Sequence, residues 1–187
     1  MEQHKEMMKT SLSEDLRELM EKHLFEKITI KQICDQTGVI RATFYNYFDD
    51  KYDCLNWIVR RDMREGNEEY YEKGEMITTF RNVLNRISEN RAFYRTAYNV
   101  TGQNSFEDMI RNNITEVLEE YFERFRNDSV QPDISNRLLS QYYAESLAFF
   151  IRTFVFEREG VSIDEVVRRA STLMTHSFSE FAKKDEK

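Results

Sequence analysis

Apolar side chains along the chain recur three and four residues apart, the spacing of one helix face, and seldom alternate. Met8, Leu12, Leu16, Leu19 and Met20 predict a first helix over about Met7–His23, with Glu14, Asp15, Glu18 and Glu21 largely on its other faces. Thr29 reads as the N-cap of a short helix over Ile30–Gln36 that turns Ile33 and Cys34 inward. Gly38 follows where a chain leaving a helix needs a left-handed residue. A third helix is predicted over Arg41–Phe48, and Asp50 as the cap of a fourth that carries Leu55, Ile58, Val59 and Met63. Beyond REGNEEYYEKGE, the spacing predicts helices over Met76–Ser88, Arg91–Asn99, Phe106–Arg126, Ile134–Glu157 and Ile163–Ala182, with Ser105 and Ser162 as caps. The segments VTGQNS, NDSVQPD and EREGVS separate them. The expected fold is all-α with about nine helices: a three-helix unit (residues 1–50), a connecting helix (51–72) and a larger helical domain (73–187).

Composition supports helix: Pro132 is the single proline and there are five glycines. No window approaches the ~18 uninterrupted apolar residues of a membrane span. The N-terminal MEQHKEMMKTS lacks the apolar core of a signal peptide. A cytoplasmic protein without membrane contact is expected, with Cys34 and Cys54 as packed free thiols. The net charge of −7 argues against non-specific adhesion to nucleic acid, and residues 1–50 hold seven Lys and Arg against ten Asp and Glu. A nucleic-acid function therefore depends on where the cations sit. His4, His23 and His176 are far apart, and neither a Gly-rich phosphate loop nor a nucleophile elbow is present. No catalytic residue, metal or cofactor is expected, and an enzyme is not.

The most informative stretch is TGVIRATFYNYFDDK, Thr37–Lys51. Two short helices joined by a tight Gly-containing turn and braced by an earlier helix make a helix-turn-helix. At 3.6 residues per turn, Phe44 and Phe48 face inward with Val39, while Arg41 with Tyr45 and Ala42 with Asn46 form two outward pairs. Arg matches guanine, Asn matches adenine and Ala abuts a thymine methyl, so Arg41, Ala42, Tyr45 and Asn46 are candidate base contacts. Thr29 and Lys31 open the second helix, Thr43 and Tyr47 carry hydroxyls, and Lys51 opens the fourth helix. These five are candidate phosphate contacts on double-stranded operator DNA. The bland alternative is a helical hairpin whose polar face is merely solvated.

The longer pattern ITIKQICDQTGVIRATFYNYFDDKYDCLNWI, Ile28–Ile58, resembles the DNA-binding region of the TetR family of bacterial transcriptional regulators. TGV, then R-A-T-F-Y-x-Y-F, then K-x-D-x-L carry the likeness, which covers roughly residues 7 to 60. The resemblance implies a sequence-specific DNA-binding regulator, with repression as the expected sign, and gives the base and phosphate candidates those roles. Ile40 departs from it by standing where a small polar residue is common, and Asp49 beside the rim repels phosphate. The alternative is a TetR-fold coregulator with weakened DNA binding that acts through a protein partner.

The same resemblance implies an effector-binding bundle and a homodimer formed through the last two long helices. The segment Ile134–Glu157 is apolar nearly all round, as a helix that buries more than one face must be. Leu139, Tyr143, Phe150, Phe154, Val167, Leu173, Met174 and Phe178 are the interface candidates. Phe80, Phe93, Tyr94, Tyr98, Phe106, Tyr121, Phe122 and Phe125 are candidates for a pocket that takes a small, largely apolar effector, with plain core as the competing reading. KYDCLNWI and ENRAFYRTAYNVTGQNSF resemble the low-GC Gram-positive branch of the family, which includes activators of dihydroxyacetone kinase operons.

Overall fold

The computed structural model describes residues 2–127, 133–157 and 160–181, and every regular element among them is helical. Helix α1 (Glu2–Lys22) leads through a 3-10 turn at Phe25–Lys27 into α2 (Ile30–Thr37), α3 (Arg41–Tyr45) and α4 (Lys51–Arg64). Thr29 caps α2 through a reciprocal pair with Gln32: its hydroxyl accepts from the Gln32 N–H while the Gln32 side chain takes the Thr29 N–H. Gly38 ends α2 at φ 76°, a left-handed value that a side chain would strain. Asp50 caps α4 by accepting from the Tyr52 and Asp53 N–H groups at 2.7 and 2.8 Å. Regular winding of α3 stops at Tyr45, earlier than expected, and Asn46–Tyr47 continue as a turn. The Phe48 N–H still reaches the Phe44 carbonyl at 3.0 Å, so both rings face inward as predicted.

The larger part holds α5 (Glu68–Lys73), α6 (Met76–Glu89), α7 (Arg91–Ala97), α8 (Phe106–Phe125), α9 (Asn136–Phe156), α10 (Ile163–Thr175) and α11 (Phe178–Phe181). Two of these correct the sequence reading. The one connecting helix expected over 51–72 is two, α4 and α5, and α5 closes at Gly74 in the left-handed region, with the Phe125 ring 3.4 Å from where a Cβ would sit. The single last helix is two, because the backbone is extended at His176 and the Ser177 N–H and hydroxyl both turn to the Glu180 carboxylate. Pro132 and Ala182 lie outside the described residues.

Helices α8 and α9 make the most extensive pairing, and Ser140, Ala144 and Ala148 recur every fourth position on the buried side of α9. Small residues there let the two axes approach. Arg91 and Arg95 of α7 both donate to the Val155 carbonyl, at 3.2 and 2.9 Å, and so tie α7 to the end of α9. The buried apolar cluster runs without a break from Leu12 through Phe44 and Ile58 to Val167. The three-helix unit therefore shares its core with the bundle, and α1 packs on α7 as well as on α2 and α4.

Candidate nucleic-acid interface and cavity

Phe44 is fully buried and Phe48 nearly so, which fixes the rotation of α3 and leaves Arg41, Ala42, Tyr45 and Asn46 exposed together. The Arg41 guanidinium has a long contact of 3.5 Å to the Tyr45 hydroxyl, the i,i+4 neighbour on the same face. Edge-on packing of Tyr45 against Phe44, with centroids 5.8 Å apart, props the phenol outward. Thr43 and Tyr47 are half-buried beside this face. Lys31 is exposed and pairs with Asp35, and Thr29 keeps its hydroxyl in the cap of α2.

Lys51 has an inward occupation. Its ammonium donates to the carbonyls of Phe25 and Ile28, at 2.8 and 2.9 Å, and lies 4.5 Å from the centroid of the Phe25 ring. Burial holds its pKa below the usual value against the upward pull of Glu26 and Asp50. The side chain expected on the rim closes the turn between α1 and α2.

The joint between the two parts is a buried polar cluster of Arg17, Asp62 and Tyr94, of which the sequence reading offered Tyr94 alone, as a pocket aromatic. The Arg17 guanidinium on α1 donates to both oxygens of Asp62 on α4, at 3.0 and 2.9 Å, and the Tyr94 hydroxyl on α7 donates to the same carboxylate at 2.8 Å. Burial works against the Arg17 charge, but Asp62 and Glu14 outweigh it and raise its pKa. Burial, reinforced by Asp62, pushes the Tyr94 phenol well up, so it stays a donor. The signal available in sequence was one acid inside the apolar period of α4 and one Arg inside that of α1.

Helices α4, α5, α6, α8, α9 and α10 surround a cavity of about 360 Å³. Of the eight aromatic candidates, Phe80, Tyr121 and Phe122 line it. Phe93, Tyr94, Tyr98 and Phe106 instead stack edge-to-face among themselves with centroids 5.1–6.3 Å apart, as core between α7 and α8. Phe125 covers Gly74. Met63, the neighbour of Asp62, and Tyr71, whose hydroxyl donates to the Met63 carbonyl at 2.8 Å, also form the wall. The Thr79 hydroxyl on this wall is buried without a partner.

The interface candidates need the same correction. Tyr143, Val167 and Met174 line the cavity, Leu139 is half-buried, and Phe150 and Phe154 are buried within the chain. Of the eight, Leu173 is exposed, and the Phe178 side chain lies outside the described residues. The outward stripe of α9 is Leu138, Tyr142, Glu145, Phe149, Arg152 and Phe156, spaced four and three residues apart in the manner of a helix–helix seam. Phe149 is 62% exposed and Tyr142 69%, whereas Phe150 is 6%. Glu145 pairs with Arg111 and Arg152 with Glu107 within the chain.

The family model described as "Bacterial regulatory proteins, tetR family" matches residues 14–58, and one described as "Transcriptional regulator C-terminal region" matches 74–176. The dhaKLM operon transcriptional activator DhaS of Lactococcus lactis is 21% identical over 169 residues, covering 87% of this chain and 86% of its own. A solved structure of a dihydroxyacetone kinase operon activator DhaS superposes with a TM-score of 0.63 at 19% identity, over 89% of this chain and 93% of that one. A protein described as a TetR-family transcriptional regulator from Syntrophomonas wolfei gives 0.67 at 16%, over 92% and 94%. No helix among the described residues is long and apolar enough to cross a membrane. With both halves matched and the helix-turn-helix in place, the chain belongs to the TetR family of bacterial transcriptional regulators.

Proposed function

We propose that the protein is a sequence-specific DNA-binding regulator that acts as a homodimer and is controlled by a small molecule held in the cavity. The outward set of Arg41, Ala42, Tyr45 and Asn46, on α3 and the turn that follows it, pinned by Phe44 and Phe48, carries this reading. Arg41 and Asn46 supply the groups that read guanine and adenine edges, while Thr43, Tyr47, Thr29 and Lys31 position the module on phosphates. Lys51 supports them from behind by holding the α1–α2 turn rather than by meeting DNA. Control is supported by adjacency: Met63 faces the cavity and Asp62 holds α1, so a ligand that favours one placement of α4 favours one placement of the helix-turn-helix. A ligand shifts DNA binding only by its differential affinity for the two placements.

The test is to capture genomic fragments with the protein, sequence them, and titrate enriched and scrambled duplexes by fluorescence anisotropy. Enrichment of one shared sequence is expected. Bound sites that overlap a promoter's polymerase footprint give repression, the sign expected from the sequence. Sites upstream of it give activation, the sense in the name of the Lactococcus relative. The inward Lys51 and the acidic Asp49 beside the rim favour one second reading, a coregulator of the same fold that acts through a protein partner. Capture of no enriched sequence selects it.

A further inference from the structure

The cavity's lining restricts the chemistry of what it takes. Not one Lys, Arg, His, Asp or Glu faces it among the described residues. Six hydroxyl side chains face it: Tyr71 gives its own to the Met63 carbonyl and Thr175 its own to the Ser171 carbonyl, while that of Thr79 is buried without a partner and the remaining lining is apolar. A carboxylate or ammonium entering would shed water and meet no counter-charge. A short polyol would find scattered hydroxyls in place of water for its several hydrogen-bonding groups and would leave most of the 360 Å³ empty. Met63, Met76 and Met174 add flexible thioether walls, which adapt to differing shapes better than branched side chains do. Exposed Ile77 and Thr175 belong to the lining, so the cavity communicates with solvent where the start of α6 meets the end of α10.

From this we infer that the cavity binds uncharged, mainly hydrocarbon molecules of roughly ten to twenty non-hydrogen atoms with at most one or two hydrogen-bonding groups. Medium-chain alcohols represent the class, and several members bind with similar affinity. The inference deepens the effector reading above and rests on it for its regulatory meaning, although binding itself is measured without DNA. It sets this chain apart from a sensor of dihydroxyacetone, the compound suggested by the name of its relatives' target operon.

The experiment uses the full chain and N-phenyl-1-naphthylamine, a neutral fluorescent probe. Probe emission should rise and shift to the blue on binding. Competition with 1-decanol should reverse it at concentrations at least 30-fold below those at which decanoate at pH 8 or dihydroxyacetone has any effect. Ala170→Phe fills the cavity from α10 and should abolish uptake. Met174→Trp, at a half-buried part of the lining, should weaken uptake at least tenfold and serves should Ala170→Phe not fold. Displacement by decanoate or dihydroxyacetone at decanol's concentration overturns the inference, as does full uptake by a folded Met174→Trp protein. The same titrations repeated with captured DNA separate the two readings. Decanol that binds without changing DNA affinity sinks effector control and leaves the cavity chemistry standing. Decanoate that binds and releases DNA does the reverse.

Discussion

Arg41 and Lys51 look alike as sequence, each a cation in the first turn of a helix beside the same proposed DNA surface. The fold separates them, because the Arg41 side chain is exposed and the Lys51 ammonium is shared among backbone carbonyls. Arg41→Ala should therefore cost about 1–3 kcal/mol on the specific duplex, relax preference at one base pair and leave the melting temperature unchanged. Lys51→Ala should instead destabilise the fold by about 1–3 kcal/mol, because carbonyls that lose their donor are partly shielded from water. Thermal melts followed by circular dichroism, run beside the anisotropy titrations, distinguish the two outcomes. Thr79 gives a prediction of opposite sign. Its hydroxyl is buried without a partner, so Thr79→Val keeps the shape, removes an unmet polar group and should leave Tm unchanged or raised. A fall of several degrees would mean that the hydroxyl has a partner the geometry does not reveal.

Helix α4 carries one acid on an otherwise apolar face, and α1 answers it with one Arg. Asp62→Ala leaves the buried Arg17 charge with only the more exposed Glu14, 3.6 Å away, as counter-charge and should cost about 3 kcal/mol. Tyr94→Phe removes one hydrogen bond and should cost about 1 kcal/mol. Arg17→Met added to Asp62→Ala should recover part of the loss, and full additivity in urea unfolding would show that the two side chains are not coupled. A second bridge runs from α4 to α8, where Arg64 donates to Glu120 and thereby lowers that carboxyl's pKa. The folded pKa lies below the unfolded one, so the contribution is present above about 4.5 and is lost as pH falls through the folded value. Glu120→Gln should be slightly less stable than wild type at pH 7, and the difference should close as pH falls through the folded carboxyl's pKa, with a small gap because the pair is exposed. The caps were legible in the sequence because capping is local: Thr29, Asp50, Ser105 and Ser162 each stand one residue before an apolar period. Helix α5 was not, since Glu68–Lys73 has no apolar period and relies on Tyr71 reaching Met63. The outward side of α9 was not either. Phe149 and Phe150 are the same residue type on a helix apolar nearly all round, and packing against the neighbouring helices decides which is buried.

At the scale of the whole molecule, the α9 stripe around Phe149 is the apolar surface least explained by one chain. Wild type should sediment at twice 22.6 kDa at micromolar concentration. Phe149→Glu should give a folded monomer, since the charge enters the proposed seam between copies and not the core. Phe150→Glu should unfold the chain, because that ring is buried within it. Sedimentation and circular dichroism on both variants decide the matter, and a Phe149→Glu protein that remains dimeric places the interface elsewhere. The aromatic candidates divide in the same way: spacing alone could not distinguish Phe80, Tyr121 and Phe122 at the cavity from the Phe93–Tyr94–Phe106 stack, because both sets face inward.

The inward turn of Lys51 also bears on how the protein behaves in the ionic milieu of a cell. DNA carries a sheath of condensed cations, and each phosphate neutralised by a protein frees some of them, so binding weakens as log K falls by about 0.9 per phosphate against log salt. With Lys51 drawn inside, Lys31 is the one ammonium left among the proposed phosphate contacts of each copy. Two copies should show a shallow dependence, with a slope of about −2 to −4. Occupancy of a site would then track the fit of neutral hydroxyls, an amide and one guanidinium in the groove, and would change little when the cell's salt content swings.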